Sequence, residues 1–383
     1  MENEQPALGP ARGSGFRAKR ILIGVLEGEG IGPEVIRACL PLIDVLREVS
    51  GLDIELRYGG AIGKDAVTQC GVPLSAEVEE FCSAIFDSGG ALFCGPGGGR
   101  FVYDLRRCFG LYCKLVPLRP LRALRDAGVL KPALVDEVDI LVVRENLGGL
   151  YQGSFGMDEH RGLRRAYHCF HYDEEQVRAI LVAAGRLARQ RRGRLCVVTK
   201  PGGVPSISEI WQEMAEALAR EIPVDLRLLE VDNACYQMLA DPRGFDVVVA
   251  PNMFGDVLAD TAALLLASRG MSYSANFGPG ERAVYQTGHG AAHDLAGTGR
   301  ANPLGQMQSL AMLLSESFGQ DAIAERIFQA IEITLAAGWR TADIMAPGCR
   351  EVGTLELGQR VAVTLLHGEE DCADGPSRIA TFS

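Results

Sequence analysis

Short apolar runs alternate with longer amphipathic segments along most of this chain, and few architectures satisfy that order. Ile21–Leu26, Ala91–Cys94, Val138–Val143, Arg194–Thr199, Leu226–Val231 and Phe245–Ala250 read as buried strands. Between and after them, 33–49, 174–191, 208–220, 304–318 and 321–337 carry helical periodicity. Strand and helix in alternation predict an α/β protein with a largely parallel or mixed sheet. A length of 383 residues predicts two domains, and no internal repeat is evident. Residues 153–172 break the rule: mixed charge and aromatics without helical period suggest an extended arm or hairpin between subunits.

Composition removes several classes of function. A net charge of -11 argues against nucleic acid as the main partner. No uninterrupted apolar run is long enough to span a bilayer, so no membrane role is expected. Eleven cysteines form no CxxC pair and mostly sit in apolar runs, as reduced thiols of a cytoplasmic protein do. No Cys/His cluster has zinc-ligand spacing. Residues 1–18 lack the apolar stretch of a signal peptide and read as a disordered tail, and the polar stretch from Gly368 onward is expected to fray.

The chemistry concentrates where strands end. Asn252–Asp260 (NMFGDVLAD) follows the strand-like run to Ala250 and enters an Ala/Leu-rich helix. Asp256 and Asp260 are four apart, so on a helix they share a face and repel. A divalent cation held by hard oxygens, magnesium or manganese, removes that repulsion. The alternative is an acid-rich helix start favoured by the dipole. Arg144 ends a strand either as a bidentate carboxylate holder or in a surface salt bridge, and Tyr151 after it is either a phenol able to deliver a proton or a packed ring. Lys200 also ends a strand, either as a base whose pKa a nearby metal lowers or as an exposed terminal lysine. Asp232 is either a third carboxylate for the cation or a helix N-cap.

Three glycine-rich loops complete the pattern. Gly28–Gly32 (GEGIG) lacks the third glycine of a dinucleotide fingerprint and carries an acid that would repel pyrophosphate. It reads as a tight strand-to-helix turn, with Pro33 in the first helical turn. Gly95–Gly99 lets backbone approach a ligand, with Arg106 and Arg107 close by. The long loop from Thr287 to Pro303 combines small residues with an imidazole, an Asp and an Asn, which suits a nucleotide.

Taken in order, GEGIGPEV, REN-GG-Y, the strand ending in Lys200, VDNA, NMFGDVLAD and HGAAHDLAG…ANP resemble the β-decarboxylating dehydrogenases of the isocitrate/isopropylmalate type. The resemblance runs from about residue 21 to about 365. It implies an isopropylmalate dehydrogenase-like two-domain fold with a mixed sheet, not a true Rossmann fold. One domain would combine 19–111 with 267–383 and bind cofactor, and 112–266 would form the central domain with the dimer arm and metal site. The implied reaction is NAD- and metal-dependent oxidative decarboxylation of a 3-substituted malate by a homodimer. The resemblance assigns the metal to Asp256 and Asp260, with Asp232 lent by the partner subunit. It makes Lys200, also from the partner, the base, and Tyr151 the proton donor to the enol. It puts the adenine contacts at His289 and Asn302, in a cofactor loop that includes Gly290 and Leu295. Asp294 stands where an acid selects NAD over NADP.

Departures from the family pattern bear on substrate. Arg106 and Arg144 match two substrate arginines, but the third, expected in an N-L-R-P stretch, is Val116 in Lys114-Leu115-Val116-Pro117. Either Lys114 restores the charge from another angle or Arg119 does so through a shifted alignment. The Asn that helps seat nicotinamide is missing from Pro201–Val204; Gln286, Ala291 and His293 are further exchanges. In the specificity loop, Val102 and Tyr103 suit an apolar substituent and Arg100 an extra anion, a carboxylate or phosphonate. A non-catalytic regulatory subunit of a hetero-oligomeric NAD-isocitrate dehydrogenase, or a tartrate/malate-type dehydrogenase, is the rival expectation.

Overall fold

The computed structural model describes residues 20–368. The expected tail at 1–18 lies outside that range, as does nearly all of the C-terminal stretch. Twelve strands concern the function: β1 (Arg20–Leu26), β2 (Asp53–Tyr58), β3 (Ala91–Cys94), β4 (Cys113–Leu118), β5 (Ile140–Glu145), β6 (Ser154–His160), β7 (Leu163–Cys169), β8 (Arg194–Thr199), β9 (Asp225–Glu230), β10 (Val247–Ala250), β11 (Tyr273–Phe277) and β12 (Ala283–Thr287). All but β6 and β7 join one sheet in the order β2-β1-β3-β12-β11-β4-β5-β10-β8-β9.

The sheet is mixed in a specific way. β2-β1-β3-β12 run parallel, as do β5-β10-β8-β9. Between the two blocks, β12-β11, β11-β4 and β4-β5 are antiparallel. Helices lie against the parallel blocks, so β3, β5 and β10 are buried at every residue; β3 and β10 read as unbroken apolar runs, and β5 does so up to Arg144 and Glu145. The expected strand ending at Val231 stops at Glu230, because Val231 opens the helix Val231–Ala240.

The sequence region lacking helical period is a hairpin: β6 pairs with β7 from Ser154↔Cys169 to His160↔Leu163. Nearly all of it is exposed, including Phe155, Met157 and Leu163. The GEGIG segment is the expected tight turn into helix Gly32–Ser50, with Pro33 in its first turn. Ten cysteines among the described residues are free thiols. No helix among them is long and apolar enough to cross a membrane.

Candidate active site

The site grows from one row of residues across the antiparallel centre. Asn276 on β11 is in register with Lys114 on β4, which is in register with Arg144 on β5. Directly opposed residues share a face of the sheet, so two cations and an amide project together. Lys114 is 5 % exposed and Arg144 2 %. Helix Phe101–Phe109 adds Arg106, also buried.

Helix Asn252–Ala262 closes on Arg144 because Gly255 lets it. A Cβ on Gly255 would lie 2.8 Å from the Arg144 Cβ, so only glycine admits that approach. The Arg144 guanidinium donates to Asn252 Oδ1 through Nε (3.0 Å) and Nη2 (2.9 Å), and to Asp256 through Nη1. Asn252 in turn donates to the Gly148 carbonyl (2.9 Å), and its backbone N–H donates to the Tyr172 hydroxyl (2.9 Å). Asn252 thus ties the arginine to the REN-GG turn, a role its place after a strand and a proline did not disclose. Glu145, buried beside it, accepts the Gly148 N–H at 3.0 Å. Its pKa is nonetheless raised, by burial.

These neighbours set the charge of each group. Burial first, then repulsion by Arg106 and Arg144, lowers Lys114 to about 7. Burial, then Arg144, lowers Arg106 to about 9, and Arg106 Nε has no hydrogen-bond partner. Tyr151 is raised to about 12 by burial and then by Asp256, so its phenol keeps its proton at neutral pH. Tyr103 packs on Tyr151 with ring centroids 5.4 Å apart, and Arg144 lies 5.5 Å from the Tyr151 ring. Arg100 donates to the Tyr151 carbonyl (3.2 Å), pairs with Asp104 (3.8 Å) and stacks over Tyr103 (5.1 Å). The expected free anion contact at Arg100 is therefore engaged in bracing Tyr151.

Asp256 and Asp260 lie on one helix face, as the spacing predicts. Asp260 is raised by burial, with Asp256 adding repulsion and Arg269 opposing it from a 2.7 Å ion pair. Two hard, mutually repelling carboxylates fit a divalent cation. They do not complete a site alone: among the described residues no three His, Cys, Asp or Glu converge as metal ligands. Asp232 is elsewhere, in the first turn of helix Val231–Ala240 and not at its N-cap, which is Glu230. There Lys200 Nζ binds Glu230 at 2.6 Å and Asp232 at 2.7 Å, and the Asp232 side chain is 70 % exposed.

The expected lowering of Lys200 is not met within one chain. Hydrogen bonds donated to Asp232 and then to Glu230 raise it and outweigh the desolvation that opposes them. The shifted-alignment reading also fails. Arg119 lies past the end of β4, pairs with Asp139 at 3.9 Å and lines a groove of about 830 Å³. Leu115 and Pro117 line the same groove, so it occupies the sheet face opposite Lys114. Val116 is buried.

A second cavity, of about 630 Å³, is lined by His289, Gly290, Leu295 and Asn302, with Ile31, Gly270 and Asp343. His289 is half-buried with its enclosed Nε2 unpartnered, and desolvation lowers its pKa, which favours the neutral ring. A Cβ on Gly290 would meet nothing within 4 Å, so open space lies there. Asn302 is partly committed: Nδ2 donates to Asp343 (3.1 Å) and Oδ1 accepts from the Leu304 N–H (3.0 Å). Asp294 is exposed and outside the lining.

Asp260 thus lies within electrostatic reach of Lys114 and Arg144, and Arg269, which pairs with Asp260, lines the His289 cavity. The family profile described as isocitrate/isopropylmalate dehydrogenase matches residues 22–361. The chain belongs to that family of β-decarboxylating dehydrogenases. It is 38 % identical over 364 residues to the 3-isopropylmalate dehydrogenase of Pseudomonas putida, covering 91 % of this chain and 99 % of that one. It is 36 % identical over 361 residues to that of Aquifex aeolicus, covering 91 % and 98 %. The crystal structure of isocitrate dehydrogenase from Methylococcus capsulatus superposes with a TM-score of 0.80 at 27 % identity, over 90 % of this chain and 99 % of that one.

Proposed function

We propose that the chain catalyses oxidative decarboxylation of a 3-substituted malate, using NAD and magnesium or manganese, as a cytoplasmic homodimer with shared sites. The observation that carries this reading is Tyr151, a protonated phenol beside Asp256 and against Arg144, at the edge of a buried cationic floor. Segments 19–111 and 267–383 would form the cofactor-binding domain, and 112–266 the central domain. The NAD assignment rests on the His289 cavity and on Asp294, whose charge would repel a 2′-phosphate. When bound, the nicotinamide accepts the hydride and the divalent cation supplies Lewis-acid polarisation of the oxidised hydroxyl carbon.

Arg106 and Arg144 hold substrate carboxylate by charge-assisted hydrogen bonds. Lys200, brought by the partner together with Asp232, releases its proton and then takes that of the substrate hydroxyl as hydride departs. Loss of carbon dioxide leaves an enol(ate) at C3, and Tyr151 protonates that carbon. Exposure of the Lys200 cluster supports its use by a second copy, because inside its own chain it touches neither Asp256 nor Asp260.

The test is turnover by the purified chain with NAD and magnesium or manganese against 3-isopropylmalate, isocitrate, D-malate and tartrate. NAD reduction coupled to equimolar carbon dioxide is the expected result. Neither NAD reduction nor carbon dioxide release with any of the four would favour the regulatory-subunit alternative.

A further inference from the structure

We infer that Lys114 is the displaced third cation of the carboxylate site, replacing from its own position on β4 the arginine that the family pattern carries at 116. This inference rests on the proposed function and specifies how its substrate is held. Lys114 and Val116 are two apart on β4 and therefore project from the same face, about 7 Å apart along the strand. A lysine side chain spans most of that distance, so an ammonium based at 114 reaches an anion that a guanidinium at 116 would hold.

Three observations favour an anion as its partner. Lys114 is 5 % exposed, and its ammonium has no hydrogen-bond or ion-pair partner among the described residues. Holding charge in so enclosed a place without a paired carboxylate is unfavourable, and an anion seated beside Lys114 would relieve that cost. Its neighbours in the register row are Arg144 and Asn276, and Arg106 lies within repelling distance with Nε unpartnered. Three basic groups beside two Asp carboxylates leave a net positive charge that a substrate carboxylate neutralises. The other candidate cations are engaged elsewhere: Arg100 on the Tyr151 carbonyl and Asp104, Arg119 on the opposite face of the sheet.

The role is specific to position and charge, which makes it separable from a packing role. Lys114→Met keeps the length and removes the charge; Lys114→Arg keeps the charge. A Lys114→Asn, Val116→Arg double variant moves the cation to 116. D-Malate with magnesium is the binding probe, titrated calorimetrically on the full chain, alongside KM and kcat for whichever malate turns over. We expect Lys114→Met to weaken malate binding and raise KM by about 10- to 100-fold with a smaller change in kcat. Lys114→Arg should stay within several-fold of wild type, and the double variant should recover most of the loss shown by Lys114→Asn. Unchanged malate affinity and KM in a folded Lys114→Met chain would overturn the inference. So would a loss that neither Lys114→Arg nor the double variant recovers. If the wild type binds malate but turns over no substrate, the proposed function fails while the binding comparison still decides the role of Lys114.

Discussion

Lys114 and Lys200 are the same side chain in opposite circumstances. Lys114 is buried without a carboxylate partner and is lowered to about 7; Lys200 is half-buried between two carboxylates and is raised. Burial penalises charge and pairing rewards it, and each lysine shows one effect with little of the other. Lys114 sits in a row with Arg144 and Asn276, within electrostatic reach of Arg106. The Lys200–Glu230–Asp232 cluster lies apart from Asp256 and Asp260, with the two carboxylates turned to solvent. A site that needs both must bring the second to the first, which is what a shared dimer interface would do.

The largest expected effect breaks the floor. Arg144→Met removes the guanidinium that Asn252 and Asp256 hold, and should lower kcat/KM by about 10²- to 10³-fold, with a reduced melting temperature. The next tests whether the exposed cluster belongs to the neighbour's cleft. Tyr151→Phe and Lys200→Met should each lower kcat by about 10²-fold or more. Mixed and reassembled, the two variants should regain roughly a quarter of wild-type activity, since half the dimers carry one intact shared site. No recovery on mixing would mean that each chain builds its own site.

The smallest effect sharpens the comparison through protons. A dicarboxylate beside Lys114 raises its pKa from about 7, so binding at pH 8 should take up about one proton. The uptake should vanish below about pH 6, where the lysine is already charged. The dependence of the calorimetric enthalpy on buffer ionisation measures it, and Lys114→Met should abolish it. Without ligand the sign is also fixed. Between about 7 and the ordinary 10.5, the unfolded chain keeps a proton that the folded chain has lost. Lys114 therefore makes the empty protein more stable as pH rises through that window.

Much of this was legible before the fold. β1, β3, β8 and β10 announce themselves as apolar runs because buried strands of parallel blocks have no polar side. β2 does not: as an edge strand it carries Asp53, Glu55 and Arg57. β11 and β12 hide for another reason, since Ser274, Asn276 and Gln286 are polar yet buried in the sheet. The Asp256/Asp260 spacing correctly put both acids on one helix face. Side-chain direction was not readable, so Lys114 and Arg119 stood as equal substitutes for a missing arginine until the register separated their faces. Nor was the full pairing of Lys200, whose pKa is raised by Asp232 and then by Glu230, a residue whose part nothing in the motif indicated.

The strand order also has a consequence for synthesis. Every strand of the β5-β10-β8-β9 block lies within residues 140–250, so that block is fully specified once the ribosome has released about two thirds of the chain. The opposite block is not. β3 awaits β12, whose Val284 pairs with Leu92 across a long stretch of intervening chain. Until β12 emerges, the β2-β1-β3 ribbon presents an apolar edge at Leu92–Cys94 that only a late strand covers. β4 waits likewise for β11, so each half of the nascent sheet keeps one open edge until the same late hairpin arrives to join them.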